Sequence, residues 1–249
     1  DPAAEATLSY GNKDTVRAGA YLTAGLGSTL AANVAFNYAN QGDGFGKNLL
    51  TDKDIYKYKT WGVRGKLLWE PGDRTRVLLS GDYASEDSSM SAPRTILEGS
   101  IDSAGEGYTG DYYDVRNNVD PHTYLRGGGV SLRIDQDLNW AQLVSISAHR
   151  NARTGQRYDQ DGSRRDVSNV LYRQKDKQFS QELQLQSSAD SSIKWIAGLY
   201  YLDLTALQRP LALAGTSQTA NGGFTHRFAR LHTTSQAAFA QATVPLADT

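Results

Sequence analysis

Thr60-Trp61-Gly62-Val63-Arg64-Gly65-Lys66-Leu67-Leu68-Trp69-Glu70-Pro71-Gly72-Asp73-Arg74-Thr75-Arg76-Val77-Leu78-Leu79-Ser80-Gly81-Asp82-Tyr83 is the stretch on which the fold turns. Trp61, Val63, Leu67 and Trp69 share one parity, and Thr60, Arg64 and Lys66 hold the other. After the turn-forming Glu70 to Thr75, Val77, Leu79 and Tyr83 again alternate with Arg76, Ser80 and Asp82. Successive side chains of an extended chain point to opposite faces, so this period of two predicts two strands, each apolar on one side and polar on the other. Trp61 and Trp69 lie roughly 27 Å apart along such a strand at ~3.4 Å per residue. At a tilt of about 40° that becomes on the order of 20 Å of height, close to the apolar band that aromatic girdles bracket in a membrane barrel.

The same period recurs along the chain, and no run of apolar residues at helical spacing competes with it. Val16, Ala18, Ala20, Leu22 and Ala24 alternate with Arg17, Gly19, Tyr21 and Thr23, and Leu30, Ala32, Val34, Phe36 and Tyr38 oppose Asn33 and Asn37. Further sets are Val130, Leu132, Ile134; Trp140, Val144, Ile146; Phe179, Leu183, Leu185 against Ser180, Glu182, Gln184, Gln186; and Ile193, Trp195, Ala197, Leu199, Tyr201. The chain reads as all-β.

Short turns are predicted at Gly25 to Ser28, Glu70 to Thr75, Asp135 to Asn139 and Ser188 to Ser192, with a fifth at Pro245 to Asp248. Between them lie long polar segments, Gln41 to Lys57, Ser85 to His122, Asn151 to Lys175 and Thr205 to His232, in strict alternation with the short turns. Compact soluble domains seldom carry several long loops; a membrane barrel puts short turns on one side and long loops on the other. Trp69, Trp140 and Trp195 each adjoin a short turn. A soluble β-sandwich with core tryptophans is the competing architecture, but it accounts for neither observation.

Composition agrees. Mean hydropathy is -0.53, and the longest apolar stretch, Trp195 to Leu202, falls far short of the ~20 residues a spanning helix needs. The chain opens on Asp1-Pro2 without the basic and apolar segments of a signal peptide, as expected of an internal or processed start. A net charge of -1 gives no electrostatic reason to expect nucleic acid as a partner, and zero cysteines exclude disulfides and thiolate sites.

Several stretches resemble the barrel of TonB-dependent outer-membrane receptors, particularly those of sphingomonad-type bacteria. Leu8-Ser9-Tyr10-Gly11-Asn12 resembles the family's first barrel strand, Gly42-Asp43-Gly44-Phe45 with Asn48 a second-loop segment, and Leu67-Leu68-Trp69-Glu70-Pro71 the strand and turn that follow. The most specific are Val130-Ser131-Leu132, Leu143 to Arg150, Phe179-Ser180-Gln181-Glu182-Leu183-Gln184-Leu185 and Trp195-Ile196-Ala197-Gly198-Leu199-Tyr200-Tyr201. The resemblance implies a 22-stranded barrel, of which residues 1–249 would form about the first ten strands. The plug domain, the TonB-binding segment and the closing strands are expected outside this piece. It further implies a non-enzymatic receptor of the bacterial outer membrane. Its parent would take up a scarce solute, most often a ferric siderophore, with TonB as partner through the plug and with lipid and lipopolysaccharide around the barrel.

Other chemistry is not supported. Gly42, Gly44, Gly46 and Lys47 lack the residues a phosphate-binding loop needs at Gln41 and Asn48. His122, His149, His226 and His232 have no close ligand spacing, and His226 and His232 read as members of a polar loop. Asp159-Gln160-Asp161-Gly162 begins like a calcium loop but lacks the distal glutamate, and a turn explains it more simply. No catalytic residue, metal or cofactor is assigned, and an outer-membrane hydrolase would need a serine or aspartate constellation that is not visible. A passive porin remains the functional alternative.

Loop charge carries more information. Glu86 to Asp120 holds eight acids against Arg94 and Arg116, whereas Arg150 to Lys177 holds eight cations against four aspartates. The simplest reading is that these loops pair with each other or face charged lipopolysaccharide. The alternative is an anionic ligand met by the basic loop, with Tyr112, Tyr113, Tyr158, Arg164 and Arg165 as candidate ligand-binding residues, and Tyr108 as a further aromatic.

Overall fold

The structure is a computed structural model, and it describes residues 2–89, 92–93, 101, 105–107 and 111–245. Ten strands form one antiparallel sheet in which each neighbour in space is the next long strand in sequence: β1 (Ala3–Gly11), β2 (Thr15–Gly25), β3 (Leu30–Gln41), β6 (Tyr58–Gly72), β7 (Thr75–Ser88), β8 (His122–Asp137), β9 (Ala141–Asp159), β10 (Asn169–Ser187), β11 (Lys194–Ala214) and β12 (Phe224–Thr243). β4 (Gly46–Asn48) and β5 (Lys53–Ile55) make a separate small hairpin between β3 and β6. The up-and-down order and the expected number of strands are those of part of a β-barrel.

No second layer packs against the sheet. Among the described residues only Ile55, Val115, Ala141, Val144, Val170 and Ala212 are buried apolar side chains. A sandwich of this length needs a continuous core between two sheets, so that architecture is overturned.

Cross-strand partners share a face, so the register sorts every side chain. One row runs Trp69, Val77, Ile134, Ser145, Leu183, Leu199, Ala238, and the next on that face runs Leu67, Leu79, Leu132, Ser147, Gln181, Tyr201, Gln236. Two rows higher the same face carries Val63, Tyr83, Gly128 and Asn151, and above that Trp61, Ser85, Arg126, Arg153, Lys175, Leu207 and Arg230. Large apolar groups stand open on this face: Leu199 is 60 % exposed, Val130 58 % and Leu22 53 %. The opposite face carries Arg64, Lys66, Asp82, Arg133, Asp135 and Glu182, with Arg150 donating to Asp82 at 2.7 and 2.8 Å and Arg133 to Asp135 at 2.7 Å.

Some sequence expectations change here. Val144 and Ile146 pair with Asp135 and Arg133, so they lie on the polar face, and β9 presents Leu143, Ser145, Ser147 and His149 on the apolar one. Ser145 and Ser147 are satisfied there by Gln181, whose amide donates to Ser145 at 3.0 Å and accepts from Ser147. Trp140 sits in the turn, 63 % exposed.

Four short turns connect strands at one end, residues 26–29, 73–74, 138–140 and 188–193, close to where they were expected, with Asp135 still inside β8. The remaining expected turn falls largely on residues outside the described ones. At the other end the alternation is not strict, because β1 and β2 are joined by only Asn12, Lys13 and Asp14. The segments 151–175 and 205–232 are mostly strand, leaving loops of only 160–168 and 215–223, and His226 and His232 lie on β12. In 151–159 and 169–175 polar side chains on both faces removed the alternation on which the sequence reading relied, and in 205–214 Ala206, Leu207, Leu211, Ala212, Leu213 and Ala214 put apolar groups on both faces, yet the ladder continues through Asn169↔Asp159 and Ala214↔Phe224. Pro210, which has no N–H to give, falls where the β11–β12 register shifts between Gln208 and Leu211.

Candidate functional site

At the end opposite the short turns, the loops fold onto one another instead of standing free. The β4–β5 hairpin docks on residues 113–120 through a parallel bridge from Asn48 to Val115, with Leu49 N–H donating to Val115 O at 2.8 Å and Val115 N–H to Lys47 O at 2.9 Å. A Cβ on Gly46 would fall 2.1 Å from the carbonyl oxygen of Tyr113. Glycine is needed there for close backbone approach, which gives the glycine-rich segment a packing role, and Lys47 pairs with Asp52.

Asn48 is fully buried and uses all its hydrogen-bonding capacity. Its Nδ2 donates to Asn117 O (2.8 Å) and Asp120 Oδ1 (2.9 Å), and its Oδ1 accepts from Leu50 N–H (3.2 Å) and Asn117 N–H (3.1 Å). Thr51 and Lys53 donate to the same Asp120 carboxylate, at 2.5 and 2.7 Å. Burial acts to raise the Asp120 carboxyl, but hydrogen bonds from Lys53, Thr51 and Asn48 and the Lys53 charge outweigh it and hold it below the usual carboxylate range.

The 160–168 loop joins from the other side. Asp159 is fully buried, and its carboxylate accepts N–H groups of Asp161 and Gly162 (both 2.9 Å) and of Asn118 (3.0 Å). Burial pushes its carboxyl up to about 6, helped by the Asp161 charge and opposed by those N–H donors. This is the turn geometry expected of Asp159 to Gly162, and among the described residues no cluster of three or more histidine or acidic groups could hold a metal. Asp166 O and Val167 O accept from Thr216 and Ser217 N–H at 2.8 and 2.9 Å, tying in the 215–223 loop.

Two of the candidate ligand residues come together, and their surroundings were not foreseen. Tyr112 and Tyr113 pack edge-on with ring centroids 5.0 Å apart, and Tyr113 also contacts Phe45 at 5.7 Å and Tyr56 at 5.9 Å. Tyr112 is 69 % exposed, leaving an aromatic surface facing solvent beside Lys13, whose ammonium lies 5.6 Å from the Phe45 centroid. Arg164 and Arg165 are exposed on the 160–168 loop. Glu106 accepts from Arg116 at 3.1 Å and Arg164 at 2.5 Å, so acidic and basic loops do pair in part. Tyr158 stands apart on the strand β9, with the parity of Arg150, on the polar face. Tyr108 lies outside the described residues. Phe45 and Tyr56 could be found only by knowing that the hairpin packs on residues 113–120, which no local spacing encodes.

No protein-family model matches the sequence, and no curated protein matches it. Solved structures do match in fold. The siderophore receptor PiuA from Acinetobacter baumannii superposes with a TM-score of 0.65 at 12% identity over 98% of this chain and 40% of the receptor. The ferric yersiniabactin uptake receptor FyuA from Yersinia pestis gives 0.66 at 12%, over 98% and 44%, and BauA, the ferric preacinetobactin receptor from Acinetobacter baumannii, gives 0.65 at 11%, over 98% and 39%. This chain therefore spans about two fifths of the length of those receptors and has the fold of part of their β-barrels.

Proposed function

We propose that the chain is part of an outer-membrane receptor of the TonB-dependent family, whose parent binds a ferric siderophore outside the cell and imports it with energy delivered through TonB. The observation that carries this reading is the two-faced ten-stranded sheet with its folded loop cluster at one end; in the proposed barrel the open apolar face meets lipid, the polar face lines the lumen and the loop cluster stands outside. The three receptors similar in fold act on siderophores, which supports the same ligand class here. The resemblance of the sequence to sphingomonad-type receptors belongs to this proposal too. The aromatic surface of Tyr112, Tyr113 and Phe45 suits an aromatic chelate, and Arg164 and Arg165 suit its negative charge. No enzymatic step is needed.

The test is uptake by cells carrying the complete gene as their sole receptor. Radiolabelled ferric siderophore should accumulate, and accumulation should stop when the proton-motive force is collapsed. Uptake that persists without the proton-motive force would favour a passive porin.

A further inference from the structure

The face that carries Trp69 and Leu199 is not uniform across its width. Followed from strand to strand, the row of Leu67, Leu79 and Leu132 on β6–β8 gives way to Ser147, Gln181 and Tyr201 on β9–β11. Two residues higher, Val34 and Val130 give way to His149, Phe179 and Asp203. Above these, Val63 and Tyr83 give way to Asn151, Lys177 and Thr205. On β12 the three rows end at Gln236, Thr234 and His232. With Phe179 as the exception, one lateral half of the face is therefore apolar at these levels and the other polar.

Height makes the polar half costly. Ser147 and Gln181 each stand six residues from the short-turn ends of their strands, Ala141 and Ser187, and Tyr201 and Asp203 stand seven and nine from Lys194. At ~3.4 Å per residue and a tilt of about 40° they lie roughly 16 to 23 Å above the turns, inside an apolar band about 25 Å tall. Asn151 and Lys177 follow at about 26 Å, on its upper margin. Polar groups at such depth cost free energy unless they are paired, and they turn toward protein instead of lipid. The chain itself meets part of the demand: Gln181 binds Ser145 and Ser147, Asn151 binds His149 at 2.9 Å, and His232 binds Thr205 at 3.0 Å and approaches Asp203 at 3.5 Å. Among the described residues the Tyr201 hydroxyl has no hydrogen-bond partner and Lys177 no acid.

Resting on the barrel reading above, we infer that this polar strip on β9–β12 is where a second copy of the receptor docks, side by side in the membrane, about a two-fold axis between β10 and β11. Two barrels inserted the same way up share only a two-fold axis along the membrane normal, and the contact about it is self-complementary. That axis brings residues of equal height together and sets β10 of one copy against β11 of the other. Lys177 of one copy then faces Asp203 of the other, about 3 Å apart in height, and the Gln181 amide faces the unpaired Tyr201 hydroxyl. Both contacts occur twice. Lys175, one row above Lys177, faces Leu207, so the axis brings no like charges together there. Arg153 and Arg230 lie on the outer strands of the strip, which the curvature of a barrel carries apart. A partner of another sequence would have to offer amides and hydroxyls below and both signs of charge above at matching heights, whereas a copy of the strip does so by symmetry.

The experiment uses the complete receptor in isolated outer membranes, treated with a carbodiimide that joins an amine directly to a carboxylate. A band of twice the receptor's mass should form, and its peptides should contain Lys177 joined to Asp203. In mild detergent, sedimentation equilibrium should show the dimer dissociation constant rising roughly fivefold for each of Lys177→Gln and Asp203→Asn, the equivalent of ~1 kcal/mol for an accessible ion pair. The double variant Gln181→Leu with Tyr201→Phe should weaken the dimer as well. Leu79→Ala, on the apolar half of the same row, should leave it unchanged. A receptor that is monomeric in the membrane, a dimer indifferent to every strip variant, or a Lys177 or Asp203 adduct to a different protein overturns self-association alone, provided the receptor still shows the heat-modifiable migration of a folded barrel. A wild-type receptor without that migration overturns the barrel reading itself.

Discussion

Below the row from Trp61 to Arg230 the two faces of the sheet differ in kind, and above it they converge. In the lower region Val63, Leu67 and Trp69 share a face with Leu79, Leu132 and Leu199, while Arg64, Lys66 and Asp82 hold the other. In the upper region of β9 and β10, Arg153 and Lys175 stand on one side and Gln174 and Asp176 on the other. The backbone ladder passes through both regions, so hydrogen bonding is not what separates them. The surroundings in the proposed barrel are: the lower region would place one face against hydrocarbon, whereas the upper region would be wet on both faces and is tied down by loops. In lipid a closed ladder satisfies every backbone group. Beyond the ladder, the loops are joined to one another by side-chain contacts such as those of Asn48 and Asp159.

The largest effect should separate the two faces within the lower region. Leu67→Arg in the intact receptor is predicted to lower barrel stability by ~2–4 kcal/mol, as expected for a cation near the bilayer midplane, whereas Arg64→Ala should cost much less. Denaturant titration in lipid vesicles measures both, and equal losses would show that the face assignment is wrong.

A smaller effect should separate the upper region from the lower. Asn48→Ala leaves Asn117 and Asp120 without their buried partner, and should loosen the loop cluster by ~1–3 kcal/mol while barrel melting stays unchanged. Hydrogen exchange of residues 46–55 and 113–120 reads the first and electrophoretic heat modifiability the second. A drop in barrel melting would mean that the loops are integral to the lower sheet.

Acidity should then divide the cluster itself. The Asp159 carboxyl titrates near about 6 in the folded state, above its unfolded value near ~3.9. Its contribution is thus fully present below the unfolded value and is lost as pH rises through about 6. Asp120 is held low, so its contribution is present above the ordinary carboxylate range and disappears as pH falls through its lowered value. Lowering pH from 7 to 5 should therefore raise exchange protection around 159–168 by on the order of tenfold, and Asp159→Asn should abolish the change. Smallest of all, Arg164→Ala removes an exposed ion pair with Glu106 and should alter loop stability by ~0–1 kcal/mol, so a larger loss of siderophore affinity in an equilibrium titration would mark Arg164 as a ligand contact.

Legibility followed the same division. Wherever one face meets apolar surroundings, the period of two was plain enough to place β6, β7 and the lower halves of β10 and β11. It misled on β9, because Val144 and Ile146 are apolar on the polar side and Ser145 and Ser147 are polar on the apolar side. The upper halves of β9 and β10 looked like loops because polar residues stand on both faces, and that of β11 because Leu207, Leu211 and Leu213 are joined by Ala206, Ala212 and Ala214 at the alternate positions and interrupted by Pro210, so neither shows a period of two. In the candidate site, Tyr112 and Tyr113 were identifiable by type, whereas Asn48 and Asn117 are 69 residues apart and meet only through the docking of one loop on another.

The most direct measurement of the central claim uses the absence of cysteine from the chain. Gly105→Cys and Gly72→Cys, introduced singly into the complete receptor, are exposed on intact cells to a membrane-impermeant maleimide. Labelling of Gly105→Cys is expected on intact cells, and of Gly72→Cys only after the outer membrane is breached. Labelling of Gly72→Cys and not Gly105→Cys on intact cells would invert the barrel, and equal labelling of both without breaching would contradict a membrane-spanning sheet.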